Sequence, residues 1–97
     1  MEETFLHRLD VARYHSGVPY IVNSAYRTVE HEKSKGRDGT SSHTKGVAVD
    51  LKATNSRSRC KIIEGLLKAG FTRLGISDSF IHVDADSNKD QNVIWTY

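Results

Sequence analysis

The sequence predicts an α+β domain, with a small, mainly antiparallel sheet and two to three helices. Three observations predict it. The 97 residues, 37% of them hydrophobic and 27% charged, suit one globular core spanning residues 1–97. Some stretches carry apolar stripes at helical spacing, and several shorter ones are β-branched or alternate. Helices and strands do not alternate regularly enough for a parallel, doubly wound sheet.

In chain order, Phe5, Leu6, Leu9 and Ala12 fall on one stripe and predict a helix over residues 2–15. Gly17 and Pro19 break it. "YIVNSAY" (20–26) is β-branched and aromatic enough for a strand. Thr28 can cap a short helix carrying Glu30, His31 and Glu32. "SKGRDGTSS" (34–42) reads as a surface loop, and "VAVDL" (47–51) alternates as a strand. Ser56 can cap the next helix, whose stripe is Ile62, Ile63, Leu66 and Leu67, with Gly70 as its stop. "RLGIS" and "FIHVDA" predict a strand pair turning around Ser77–Ser79. The tail "NVIWTY" is expected to add an edge strand or to pack Trp95 on the core.

Composition excludes several functions. No run reaches the roughly 18 apolar residues of a membrane span. "MEETFLHRLD" is acidic and amphipathic, so no signal peptide is expected and synthesis is cytoplasmic. The single cysteine, Cys60, excludes an intrachain disulfide and a multi-cysteine zinc site, and reads as a flank of the core. A formal charge of +2, with only the short basic run "RSRCK" (57–61), gives no case for a nucleic-acid partner. Neither nucleic acid nor membrane is expected as a partner, and a monomer is the default.

His43, Asp50 and His82 stand out as metal-ligating types. Asp50 and His82 lie on different predicted strands, and His43 just precedes the first. If those strands are neighbours, the three side chains converge. Two imidazoles and a carboxylate leave a fourth tetrahedral position for water, as a catalytic zinc site requires. The bland alternative stands beside this: a histidine and an aspartate seven apart recur by chance, and a strand histidine is often a hydrogen-bonded core residue.

"SAYRTVEHEK", "SSHTKGVAVDL" and "LLKAGFTRLGISDSFIHVD" occur in order and at a spacing that resembles the M15 peptidases. That family contains zinc D-alanyl-D-alanine carboxypeptidases and murein endopeptidases of phages and bacteria, and shares its fold with the hedgehog signalling domain. The closing "IWTY" resembles a small subgroup frequent in phage genomes. The resemblance implies a hedgehog/DD-peptidase-like fold and a zinc-dependent peptidase that hydrolyses peptidoglycan peptides at bonds involving D-amino acids. It implies His43, Asp50 and His82 as ligands of Zn²⁺, with Gly46 and Ala48 as the small residues between the first two. It implies Arg27 as the residue facing a substrate carbonyl or carboxylate, a role suited to a guanidinium. A lysin released by a holin, or a virion component, reconciles cell-wall action with the absence of a signal peptide.

The sequence departs from the family at one catalytic position. Several members carry an acid three residues before the last zinc histidine, where this chain has Ser79. Asp84, on the same strand face as His82, is the first candidate for the general base, and Asp78 in the turn is the second. A carboxylate in the place of Asp84 also has the simpler task of orienting the zinc histidine. His31 matches a position often held by histidine, at the edge of the site. Ser79 keeps a second reading open, a zinc-binding module of the same fold that binds cell-wall peptides without cutting them. A third is an α+β interaction domain with no metal.

Overall fold

Apolar residues at every second position of three strands set the centre of the molecule. In the computed structural model, which describes residues 3–24 and 46–97, the elements are α1 (Glu3–Ser16), β1 (Val22–Ser24), β2 (Ala48–Lys52), α2 (Ser56–Lys68), β3 (Arg73–Ile76), β4 (Phe80–Asp84) and β5 (Val93–Thr96). The strands form one sheet in the order β1-β2-β4-β3-β5. Neighbours from β1 to β3 are antiparallel, and β5 runs parallel to β3 at the edge. This is the α+β class that the sequence predicts.

Because side chains on a strand alternate between faces, Val49, Leu51, Leu74, Ile81 and Val83 share one face, and each is 0% exposed. Both helices cover that face: Phe5, Leu9 and Ala12 of α1 and Ile62 and Leu66 of α2 join the same core. Each such burial stabilises by roughly 1.5–3 kcal/mol. Phe5 meets Phe71 edge to face at 5.8 Å. The helices cross at Gly65, where a Cβ would overlap the Ala12 carbonyl and the Ser16 side chain. Among the described residues no helix is long and apolar enough to cross a membrane.

Several local expectations change. The α2 cap is Asn55, not Ser56: Asn55 has extended backbone, and its side chain accepts the Ser58 N–H at 2.9 Å. Leu6 and Leu67 leave the predicted stripes and stand 42% and 50% exposed. Cys60 is exposed rather than at the core's flank. Of the strand expected over 20–26, Val22–Ser24 is strand, Tyr20 and Ile21 are not, and residues 25–26 lie outside the described residues. The short helix after Thr28 and the loop over 34–42 lie outside the described residues. Gly70 ends α2 with φ +91, and Ser77 closes the β3–β4 turn by donating its N–H to the Phe80 carbonyl at 2.9 Å.

Candidate functional site

The opposite face of the sheet is polar. Its register sets Asp50 of β2 against His82 of β4, His82 against Gly75 of β3, and Gly75 beside Trp95 of β5. Directly opposed residues hold their Cβ atoms about 4.5–5.5 Å apart, within reach of one another's functional groups. Asp84 falls one step along, beside Arg73, on the same face as His82.

Both nitrogens of the His82 ring meet carboxylates. Nδ1 lies 2.9 Å from Asp50 Oδ1, and Nε2 lies 2.7 Å from Asp84 Oδ2. An ionised carboxylate only accepts, so the buried Asp84 holds the proton on Nε2, and Nδ1 donates to Asp50 when the ring is protonated. The second oxygen of Asp84 is also taken: Oδ1 accepts from Arg73 Nε at 2.7 Å and from the Asp86 N–H at 3.1 Å. Arg73 in turn donates to the Asp90 carbonyl and stacks on Trp95, with its guanidinium carbon 5.0 Å from the indole centroid. Trp95 meets the His82 ring at 5.5 Å between centroids and 47° between planes.

This arrangement moves two pKa values in opposite directions. Burial works against charge on His82, but the hydrogen bonds and charges of Asp50 and Asp84 outweigh it and raise its pKa. Burial would likewise raise Asp84, yet the bonds from His82, the Asp86 N–H and Arg73, with the His82 charge, hold its pKa below the usual value. Asp84 is therefore a buried carboxylate fixed between the Arg73 guanidinium and the His82 ring.

Of the residues singled out in the sequence, the structure brings Asp50, His82 and Asp84 together. Arg27, His31 and His43 lie outside the described residues. Asp84 does not suit the general base expected of it. It sits at Nε2, on the other side of the ring from Asp50, with both oxygens bonded inside the protein and 2% exposure. Its geometry is that of a carboxylate that orients an imidazole. Asp78 lies exposed in the β3–β4 turn, where its carboxylate accepts from Ser77 Oγ at 3.2 Å. Gly46 is buried with φ +75, a backbone conformation side chains disfavour, and Ala48 is fully buried.

Sequence reading missed Arg73, Gly75 and Trp95 as parts of this site. Gly75 had a signal: glycine inside a strand marks a close approach by another group. Here that group is the indole, 2.5–2.9 Å from where a Cβ would stand.

The donor set suits a metal. An imidazole nitrogen and a carboxylate oxygen face each other on one side of the sheet, and a buried carboxylate holds the far ring nitrogen. Among the described residues no third histidine, cysteine, aspartate or glutamate completes a metal-holding group. The family model described as Peptidase M15 matches residues 2–84 of the chain. No curated protein matches it.

Proposed function

We propose that this chain, which belongs to the M15 peptidase family, is a zinc-dependent hydrolase of peptidoglycan peptides that cuts bonds involving D-amino acids. The observation that carries the reading is the facing pair His82 Nδ1 and Asp50 Oδ1, 2.9 Å apart, with Asp84 behind the ring. His43, Asp50 and His82 would hold the zinc. When bound, zinc supplies Lewis acidity, lowering the pKa of a water towards about 7 and polarising the scissile carbonyl.

The chain's own residues do the rest. Asp84 keeps the second proton of His82 on Nε2, so that the Nδ1 lone pair is the one offered to the metal. Arg73 keeps Asp84 ionised in its buried place. Arg27 receives the substrate carboxylate or the developing oxyanion through paired hydrogen bonds. With Asp84 committed to the ring, the second candidate, Asp78, exposed in the β3–β4 turn, would have to reach in to carry the proton from water to the leaving amine. General acid–base groups contribute about 10²–10⁴-fold, so Asp78→Asn should lower kcat by that order and leave zinc content unchanged. An unchanged kcat would move the proton to another residue.

The test of the whole reading is zinc content together with hydrolysis of purified peptidoglycan. His43→Ala and His82→Ala should each lose both. Activity that survives chelation and these substitutions would overturn it. Products separate the two activities: free D-alanine marks a carboxypeptidase, and opened cross-links mark an endopeptidase. A second reading, a zinc-holding module that binds cell-wall peptides without cutting them, is favoured by Ser79 at the acid position and by the full engagement of Asp84. Stoichiometric zinc with no turnover of any murein peptide would select it.

A further inference from the structure

Holding an imidazole for a metal takes more than one hydrogen bond. The Asp84 bond fixes Nε2 and the tautomer, and a ring packed against the imidazole adds a restraint on its plane. Trp95, which binds no metal, is placed to add that restraint. Its indole lies against His82 at 5.5 Å and is seated over Gly75, the residue directly opposite His82 in the ladder. Arg73 stacks on the same indole at 5.0 Å while bonding Asp84, which closes a circuit of His82, Asp84, Arg73 and Trp95. Trp95 falls outside residues 2–84, the segment matched by the family model.

We propose that Trp95, seated on Gly75, is a positioning residue that fixes the plane of the His82 imidazole and so directs Nδ1 towards Asp50. The proposal rests on the reading of His82 as a zinc ligand. Edge strand β5 is then part of the metal centre although it contributes no ligand.

The test is zinc affinity, measured by competition with a chromophoric chelator on protein shown to be folded by circular dichroism. Partners of metal-bound histidines are worth about 10–100-fold in affinity. Trp95→Ala should lose that much, and Trp95→Phe, which keeps a ring against His82, should recover most of it. Gly75→Ala keeps the tryptophan but fills its seat, and should weaken zinc in the same way. It carries the test if Trp95→Ala does not fold. Trp95 is the sole tryptophan of the chain, so Co²⁺ should quench its emission stoichiometrically in the wild type and not in His82→Ala. A purely structural Trp95 would lower the melting temperature and leave the zinc affinity of the folded variants unchanged. That result, or wild-type emission indifferent to saturating Co²⁺, overturns the proposal. His82→Ala that still binds zinc would instead overturn the metal reading, and the positioning role with it.

Discussion

The two faces of one sheet are stabilised in different ways. On the helix side, Val49, Leu51, Leu74, Ile81 and Val83 meet hydrocarbon from every direction, and no single contact has a required angle. Across the backbone, Asp50, His82, Asp84, Arg73 and Trp95 each depend on particular atoms of the next. Nondirectional burial tolerates substitution by similar volume. A chain of buried charges does not, because removing one partner strands the others. The same strands therefore carry a forgiving face and an exacting one.

The sharpest way to break this contrast is Asp84→Ala. It leaves the Arg73 guanidinium and the His82 ring without their shared carboxylate, and should cost about 3–5 kcal/mol of stability. Denaturant unfolding of the metal-free protein measures this. A cost below that of a surface substitution would mean the circuit contributes no rigidity. On the other face, Ile81→Ala should cost about 2–5 kcal/mol, whereas Ile81→Val should cost about 0.5–1.5 kcal/mol. Ile81 lies on the opposite face from the His82–Asp84–Arg73 circuit, so the zinc affinity expected under the proposed function should stay at the wild-type value in both.

Acidity sharpens the comparison without mutation. The pKa of Asp84 is lowered in the folded state, so its stabilisation is present above the ordinary value of 3.8 and fades as pH falls through the lower folded value. The pKa of His82 is raised, so its contribution is complete below 6.5 and is lost as pH rises through the higher folded value. Metal-free protein should thus be most stable between those limits. Replacing His82 by Gln should remove the loss on the alkaline side, as thermal melts across pH will show. A comparably small effect belongs to neither face: Asn55→Ala removes the α2 cap and should cost about 1 kcal/mol by chemical denaturation.

The helix-side face was legible in the sequence because it depends on periodicity alone. Alternation in 47–51 and 80–84 and the Ile62–Leu66 stripe specify what is buried without knowledge of any partner. Leu6 and Leu67 escaped because spacing along a helix marks an apolar stripe without saying which of its residues the rest of the fold covers. The polar face was legible only in part. Asp50 and His82 drew attention by residue type, but their pairing depends on β2 and β4 being neighbours in a given register. The task of Asp84 turned on Arg73, eleven positions away, and no local pattern announces that partner. Trp95 was a residue in search of a surface until Gly75 proved to be paired beside it.

The sequence distances within the polar circuit also imply an order of assembly. His82 and Asp84 are two residues apart and Arg73 is eleven from Asp84, so the β3–β4 hairpin carries all three. Asp50 is 32 residues from His82 and arrives only when a far longer loop has closed. Local contacts form at lower entropic cost, and nonlocal ones slow folding. Substitutions in the hairpin should therefore slow folding, while Asp50→Ala should act mainly on unfolding, a distinction that stopped-flow rates can draw. On this order the hairpin would bring His82, Asp84 and Arg73 together before Asp50 joins them from β2 and Trp95 from β5.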